Sequence, residues 1–170
     1  AVVEHMYSYE EIFAHTGENK WAERLEVIGF NALPATLSED MWTHQYVQQV
    51  NQIACQKTMI MAPWSTNGPY AHTFGLEPNF GCCTANFNQG WPKFALSAFM
   101  HKDNTIINSV MLPSVLNDKD VTIRLETDYP FNNKMHYYID AERDFNFVIR
   151  IPSFAKNLKV NGASTENKDL

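Results

Sequence analysis

The chain has 170 residues, the size of one domain or two small ones. Its 13 Lys and Arg stand against 19 Asp and Glu, and the resulting charge of −6 leaves no cationic excess for phosphates, which argues against nucleic acid or anionic membrane surfaces as partners. No apolar run approaches the about 18 residues of a membrane span, the densest being 59–64, and three cysteines cannot form an even disulfide framework, which leaves thiol or metal chemistry.

Apolar residues Val2, Val3, Met6, Tyr9, Ile12 and Phe13 recur at spacings of three and four, which predicts a helix over 1–15 ended by Thr16-Gly17-Glu18-Asn19. Glu10 and Glu11 read as its solvated face. Trp21, Leu25, Ile28 and Gly29 predict a second helix over 20–30, antiparallel to the first. Pro34, Pro63, Pro69 and Pro78 punctuate 31–81, in which 43–56 reads as a strand or extended segment. A third helix is expected over 83–100, bent or interrupted at Gly90 and Pro92.

Beyond Met100 the period becomes two. Val121, Ile123 and Leu125 alternate with polar neighbours, as do Met135, Tyr137 and Ile139, and then Phe145, Phe147, Ile149 and Ile151. Such alternation predicts half-buried antiparallel strands, with an earlier strand over 105–112. The expected architecture is therefore α then β, in two units, 1–102 and 103–170. The chain opens without an initiator Met or leader and already in a helical pattern, so it reads as a segment of a larger protein.

Charge is sparse in the middle: 27–100 holds only 5 charged residues but 12 Asn or Gln and three of the four tryptophans. That composition suits either a packed interior or a neutral cleft for sugars, whose hydroxyls need amide partners and whose C–H faces need flat apolar surfaces. Cys82 and Cys83 follow Gly81 at the expected start of the third helix, where free N–H groups and the helix dipole favour a thiolate. The pair suits a nucleophile or a metal ligand, although two thiols supply only half of a tetrahedral zinc site; the alternative is two small buried hydrophobes. In an extended segment His44, Tyr46 and Gln48 share one face and Gln45 and Gln49 the other.

The string Asn79-Phe80-Gly81-Cys82-Cys83-Thr84-Ala85-Asn86-Phe87-Asn88-Gln89-Gly90-Trp91-Pro92-Lys93-Phe94 resembles the cysteine motif of the β-L-arabinofuranosidase-like proteins, glycoside hydrolase family 127 and its relatives. Ala1-Val2-Val3-Glu4, Phe30-Asn31-Ala32-Leu33-Pro34 and the stretch 41–52 resemble further blocks of that family in the same order, so the likeness covers most of the chain. The resemblance implies the C-terminal part of an (α/α)6 helical barrel followed by the start of an antiparallel β-sandwich. It also implies a retaining hydrolase that removes L-arabinofuranosyl or related residues from plant-type glycans, with an oligosaccharide or polysaccharide as substrate.

By that likeness Cys82 is the nucleophile and, with Cys83, a zinc ligand. The remaining holders of zinc and the acid/base glutamate would lie ahead of Ala1, which makes the rest of the same polypeptide a partner. Tyr46 matches a substrate-contacting tyrosine, His44 could reach the same sugar, and Glu26 aligns with an active-site glutamate; otherwise Glu26 is an exposed carboxylate on the second helix. Trp64, His72 and Trp91 line the cleft or pack in the core, and Cys55 is structural. A periplasmic or secreted location is favoured over the cytoplasm. The competing expectation is a noncatalytic carbohydrate-binding or structural module whose cysteines are buried.

Overall fold

The computed structural model describes residues 2–58, 63–77 and 79–165; most of the apolar run 59–64, Ala1, Pro78 and the polar tail fall outside them. Helix α1 spans Val2–Thr16 and ends where Gly17 takes φ +68° and donates its N–H to the Phe13 carbonyl, a left-handed stop that favours glycine. Helix α2 spans Asn19–Val27 and packs against α1 as a helical hairpin. It runs on into a single wide π-helical turn, Ile28–Ala32, closed by Leu33 N–H to the Ile28 carbonyl at 2.9 Å.

Glu10 corrects the reading of a solvated helix face. Met6, Glu10 and Phe13 form one stripe, and Glu10 is only 5% exposed while Glu11 is exposed. Burial raises the Glu10 carboxyl above its usual range, against the smaller lowering influence of the Ser97 hydroxyl and the Lys93 charge.

Most of 37–80 is irregular. The extended segment expected over 43–56 survives only as isolated bridges from His44 to Leu37 and to Gly75. The third helix is two short ones, α3 (Gly81–Phe87) and α4 (Gly90–Leu96). Gly90 is needed at the break: a Cβ there would lie 2.8 Å from Leu33 Cδ2 and 3.2 Å from Val3 Cγ2. The helical core gathers Met6, Leu25, Leu33 and Phe94, and it also takes in Val110 from beyond the helices.

The strand region starts earlier than its period-two pattern. β1 (Phe99–Lys102) forms an antiparallel hairpin with β2 (Thr105–Asn108), so the change from helix to strand lies at Ser97 and Ala98 and residue 102 belongs to the hairpin. β3 (Ser114–Asp118), β4 (Val121–Thr127) and β5 (Met135–Ala141) form an antiparallel meander in which Val121, Ile123 and Leu125 are buried between exposed Thr122, Arg124 and Glu126. β6 (Asn146–Ile149) departs from the all-antiparallel expectation. It returns after the meander to pair parallel with β2, from Thr105↔Asn146 to Asn108↔Ile149, an arrangement that the long connection between them permits. A two-stranded ribbon, β7 (Lys159–Val160) and β8 (Ala163–Ser164), follows. Ile106, Val121 and Ile123 make a second core with Phe145 and Phe147 packed against it.

A buried polar seam joins helices to sheets. Glu26 pairs with Arg150, which is wholly buried, and accepts from Met111 N–H at 2.9 Å and from the Tyr129 hydroxyl at 3.1 Å. Arg150 Nε donates to the Ser109 carbonyl at 2.5 Å. Alongside, the buried Asn108 amide donates to the Ala98 and Val110 carbonyls and accepts from the Tyr137 hydroxyl at 2.7 Å. Burial, reinforced by the Glu26 charge, raises the Tyr129 hydroxyl well above its ordinary range and keeps it protonated as the donor. Among the described residues no helix is long and apolar enough to cross a membrane.

Candidate active site

Helix α3 carries the two adjacent thiols. Phe80 closes its first turn, its carbonyl accepting from Cys83 N–H at 2.8 Å and Thr84 N–H at 3.2 Å, and the Asn86 side chain donates to the Cys82 carbonyl at 2.7 Å. Cys82 is exposed and Cys83 half-buried, their sulfurs 3.6 Å apart. The reading of both as walled-in hydrophobes is therefore corrected. The expected lowering of the thiol pKa is reversed at Cys83: burial pushes it up, and the neighbouring Cys82 thiol adds to the effect. Helix α3 has only seven residues, and the Cys83 N–H bonds to the Phe80 carbonyl, so that group is not free to meet an anion.

Cys82 and Cys83 both line a cavity of about 230 Å³. Its other walls come from the start of α1, through Val2, Val3 and Glu4, and from the loop segment His44-Gln45-Tyr46. His44 is pinned at both backbone groups to Gly75, at 3.1 Å each, and its Nε2 lies 3.3 Å from Thr84 Oγ1 on the cysteine helix. Tyr46 stacks on Phe80, ring centroids 3.8 Å apart and planes within 4°. Loop and helix are thus held together by side chains flanking the thiols.

His44, Gln45 and Tyr46 all line the cavity, contrary to the two-face reading, because the segment is an irregular loop held by an isolated bridge rather than a pleated strand. Gln45 is 6% exposed, its N–H bonded to the Thr36 carbonyl at 3.0 Å, and its side-chain Oε1 is buried without a partner among the described residues. Glu4, Asn86 and Gln45 are wall residues that pattern reading did not single out as site residues; an amide beside His44 and Tyr46 in a charge-poor stretch was the available signal for Gln45.

Glu26 lies elsewhere, buried in the seam with Arg150, so it is neither an exposed carboxylate nor part of the cavity wall. Trp64, His72 and Trp91 are also absent from that wall. Trp91 Nε1 donates to the Gly29 carbonyl at 3.2 Å against the helical core, while His72 is buried, accepting from Thr66 N–H at 3.1 Å with Trp64 edge-on. Cys55 is exposed and accepts from Gln52 Nε2 at 3.2 Å.

The thiol pair passes half of a test for zinc. Two thiolates on a tetrahedral zinc, with Zn–S of about 2.3 Å, stand about 3.8 Å apart, close to the 3.6 Å between Cys82 and Cys83. Among the described residues no group of three or more His, Cys, Asp or Glu could hold a metal, so the pair could furnish no more than one edge of such a site.

Residues 106–170 match the family model described as "Beta-L-arabinofuranosidase, GH127 middle domain". Two solved structures resemble the fold: one titled "Glycoside hydrolase", with TM-score 0.74 and 19% identity over 97% of this chain, and a GH127 beta-arabinofuranosidase, with TM-score 0.68 and 20% identity over 98%. This chain spans 28% of the length of each. No curated protein matches the sequence.

Proposed function

We propose that this GH127-like chain carries one wall of the sugar-binding site of a retaining glycoside hydrolase acting on L-arabinofuranosyl or related residues, with Cys82 as nucleophile. The observation that carries the reading is the position of two adjacent, accessible thiols on the wall of a cavity also lined by His44 and Tyr46. Carboxylate pairs do this work in most glycosidases. Here the Cys82 thiolate attacks the anomeric carbon; the C–S bond forms as the C–O bond breaks, and the departing oxygen takes a proton from an acid supplied by another part of the protein. Water then reverses the step, releasing the sugar and restoring the thiolate. Tyr46, braced by Phe80, offers a flat face and a hydroxyl to the sugar, and His44 offers a ring nitrogen tied to the cysteine helix through Thr84.

Cys82 and Cys83 would hold a zinc ion along one edge, with the other ligands supplied from outside the described residues. Bound zinc would keep the sulfurs deprotonated, offsetting the burial that raises Cys83.

In the full-length protein, Cys82→Ala is expected to lower turnover of a nitrophenyl L-arabinofuranoside by at least about a thousandfold. Cys83→Ala should lose the zinc found by elemental analysis of the wild type. Undiminished turnover by Cys82→Ala would exclude Cys82 as nucleophile, and a wild type free of zinc would exclude the metal.

A further inference from the structure

We propose that Gln45 binds the glycosyl group, its side-chain amide taking a ring hydroxyl and so setting which sugar the cavity accepts; the inference rests on the glycosidase reading above. Gln45 lines the same cavity as Cys82, yet it is 6% exposed and its Oε1 is buried with no hydrogen-bond partner among the described residues. Leaving an amide oxygen dry and unpaired is unfavourable, and folded chains rarely do so without a reason.

The backbone cannot easily swing this side chain to another partner. Gln45 N–H is bonded to Thr36, and the preceding His44 is bonded at both N–H and carbonyl to Gly75. The backbone of Gln45 is therefore held at the wall before any ligand arrives, and a short turn about the side-chain torsions is enough to present the amide to a hydroxyl. A sugar hydroxyl can both donate and accept, so it matches an amide whichever way that amide is turned. A site built to pair a hydroxyl discriminates strongly against the analogue lacking it, because the protein group is then left unpaired.

The test uses the full-length protein, a nitrophenyl L-arabinofuranoside and its monodeoxy counterparts. The wild type is expected to prefer the parent over one of the deoxy compounds by about 10–100-fold in kcat/KM. Gln45→Met, which keeps the length of the side chain but removes the amide, should lose about 10–100-fold on the parent and shrink that preference to about threefold or less. Its thermal midpoint without sugar should equal or exceed that of the wild type, since an unpaired oxygen has been removed. Should Gln45→Met fail to fold, Gln45→Asn, which withdraws the amide by one methylene, is expected to show the same collapse of discrimination. A hydrolysing wild type whose variants retain full discrimination would overturn the role of Gln45 while leaving the glycosidase reading intact. A wild type that hydrolyses no nitrophenyl glycoside would overturn both.

Discussion

Cys82 at the cavity and Glu26 at the seam both looked functional in the sequence, and their surroundings separate them. Glu26 is 4% exposed and its carboxylate is saturated by Arg150, Met111 and Tyr129. Cys82 is exposed, and its recorded side-chain neighbour is another thiol. A reactive group has to keep spare valence toward solvent and ligand, whereas a buried carboxylate such as Glu26 needs a counter-charge and donors around it, even though Arg150 Nη1 finds no hydrogen-bond partner among the described residues. At these two positions the surroundings, more than residue type, divide scaffold from chemistry.

The sharpest way to break that contrast is to exchange the expected outcomes. Cys82→Ala should abolish most turnover but, compared in the zinc-free protein, shift unfolding free energy by no more than about 0.5 kcal/mol, as at other exposed positions. Arg150→Met should do the reverse, destabilising by about 3–5 kcal/mol in denaturant titrations because Glu26 keeps a buried, unpaired charge. Adding Glu26→Leu should recover a large part of that loss; a double variant as unstable as the single one would show that the pair itself is stabilising. Smaller again, Tyr129→Phe should cost about 1 kcal/mol, since it removes one hydrogen bond to a carboxylate from a half-buried site.

The smallest effect is expected at Glu10, a buried carboxyl whose Oε1 has no partner among the described residues. Its folded-state pKa is raised, so the folded chain holds that proton more tightly than the unfolded one does. The contribution to stability is therefore greatest below the ordinary value of 4.5 and falls as pH rises through the raised value. Glu10→Gln should flatten the loss of stability above pH 4.5; an unchanged pH profile would show that Glu10 does not set it.

Local pattern made much of this visible. The spacing of Met6, Tyr9 and Phe13 gave away α1, and the alternation through Val121, Ile123 and Leu125 gave away β4, because each depends on neighbours within one element. Even Glu10 was legible, since it falls four after Met6 and three before Phe13. The burial of Glu26 was not, because its counter-charge lies 124 positions further along, at Arg150. The parallel pairing of β2 with β6 likewise depends on where a long connection returns. Gln45 escaped because two-residue alternation was assumed in a segment whose bridges are isolated.

Val110 belongs to the helical core although it follows β2 in the chain. Any protein engineer who severs the polypeptide at the switch from helices to strands would pull a stopper out of a bottle. The upstream half would keep Met6, Leu25, Leu33 and Phe94 around an empty socket, and it would not be a self-sufficient cassette for grafting.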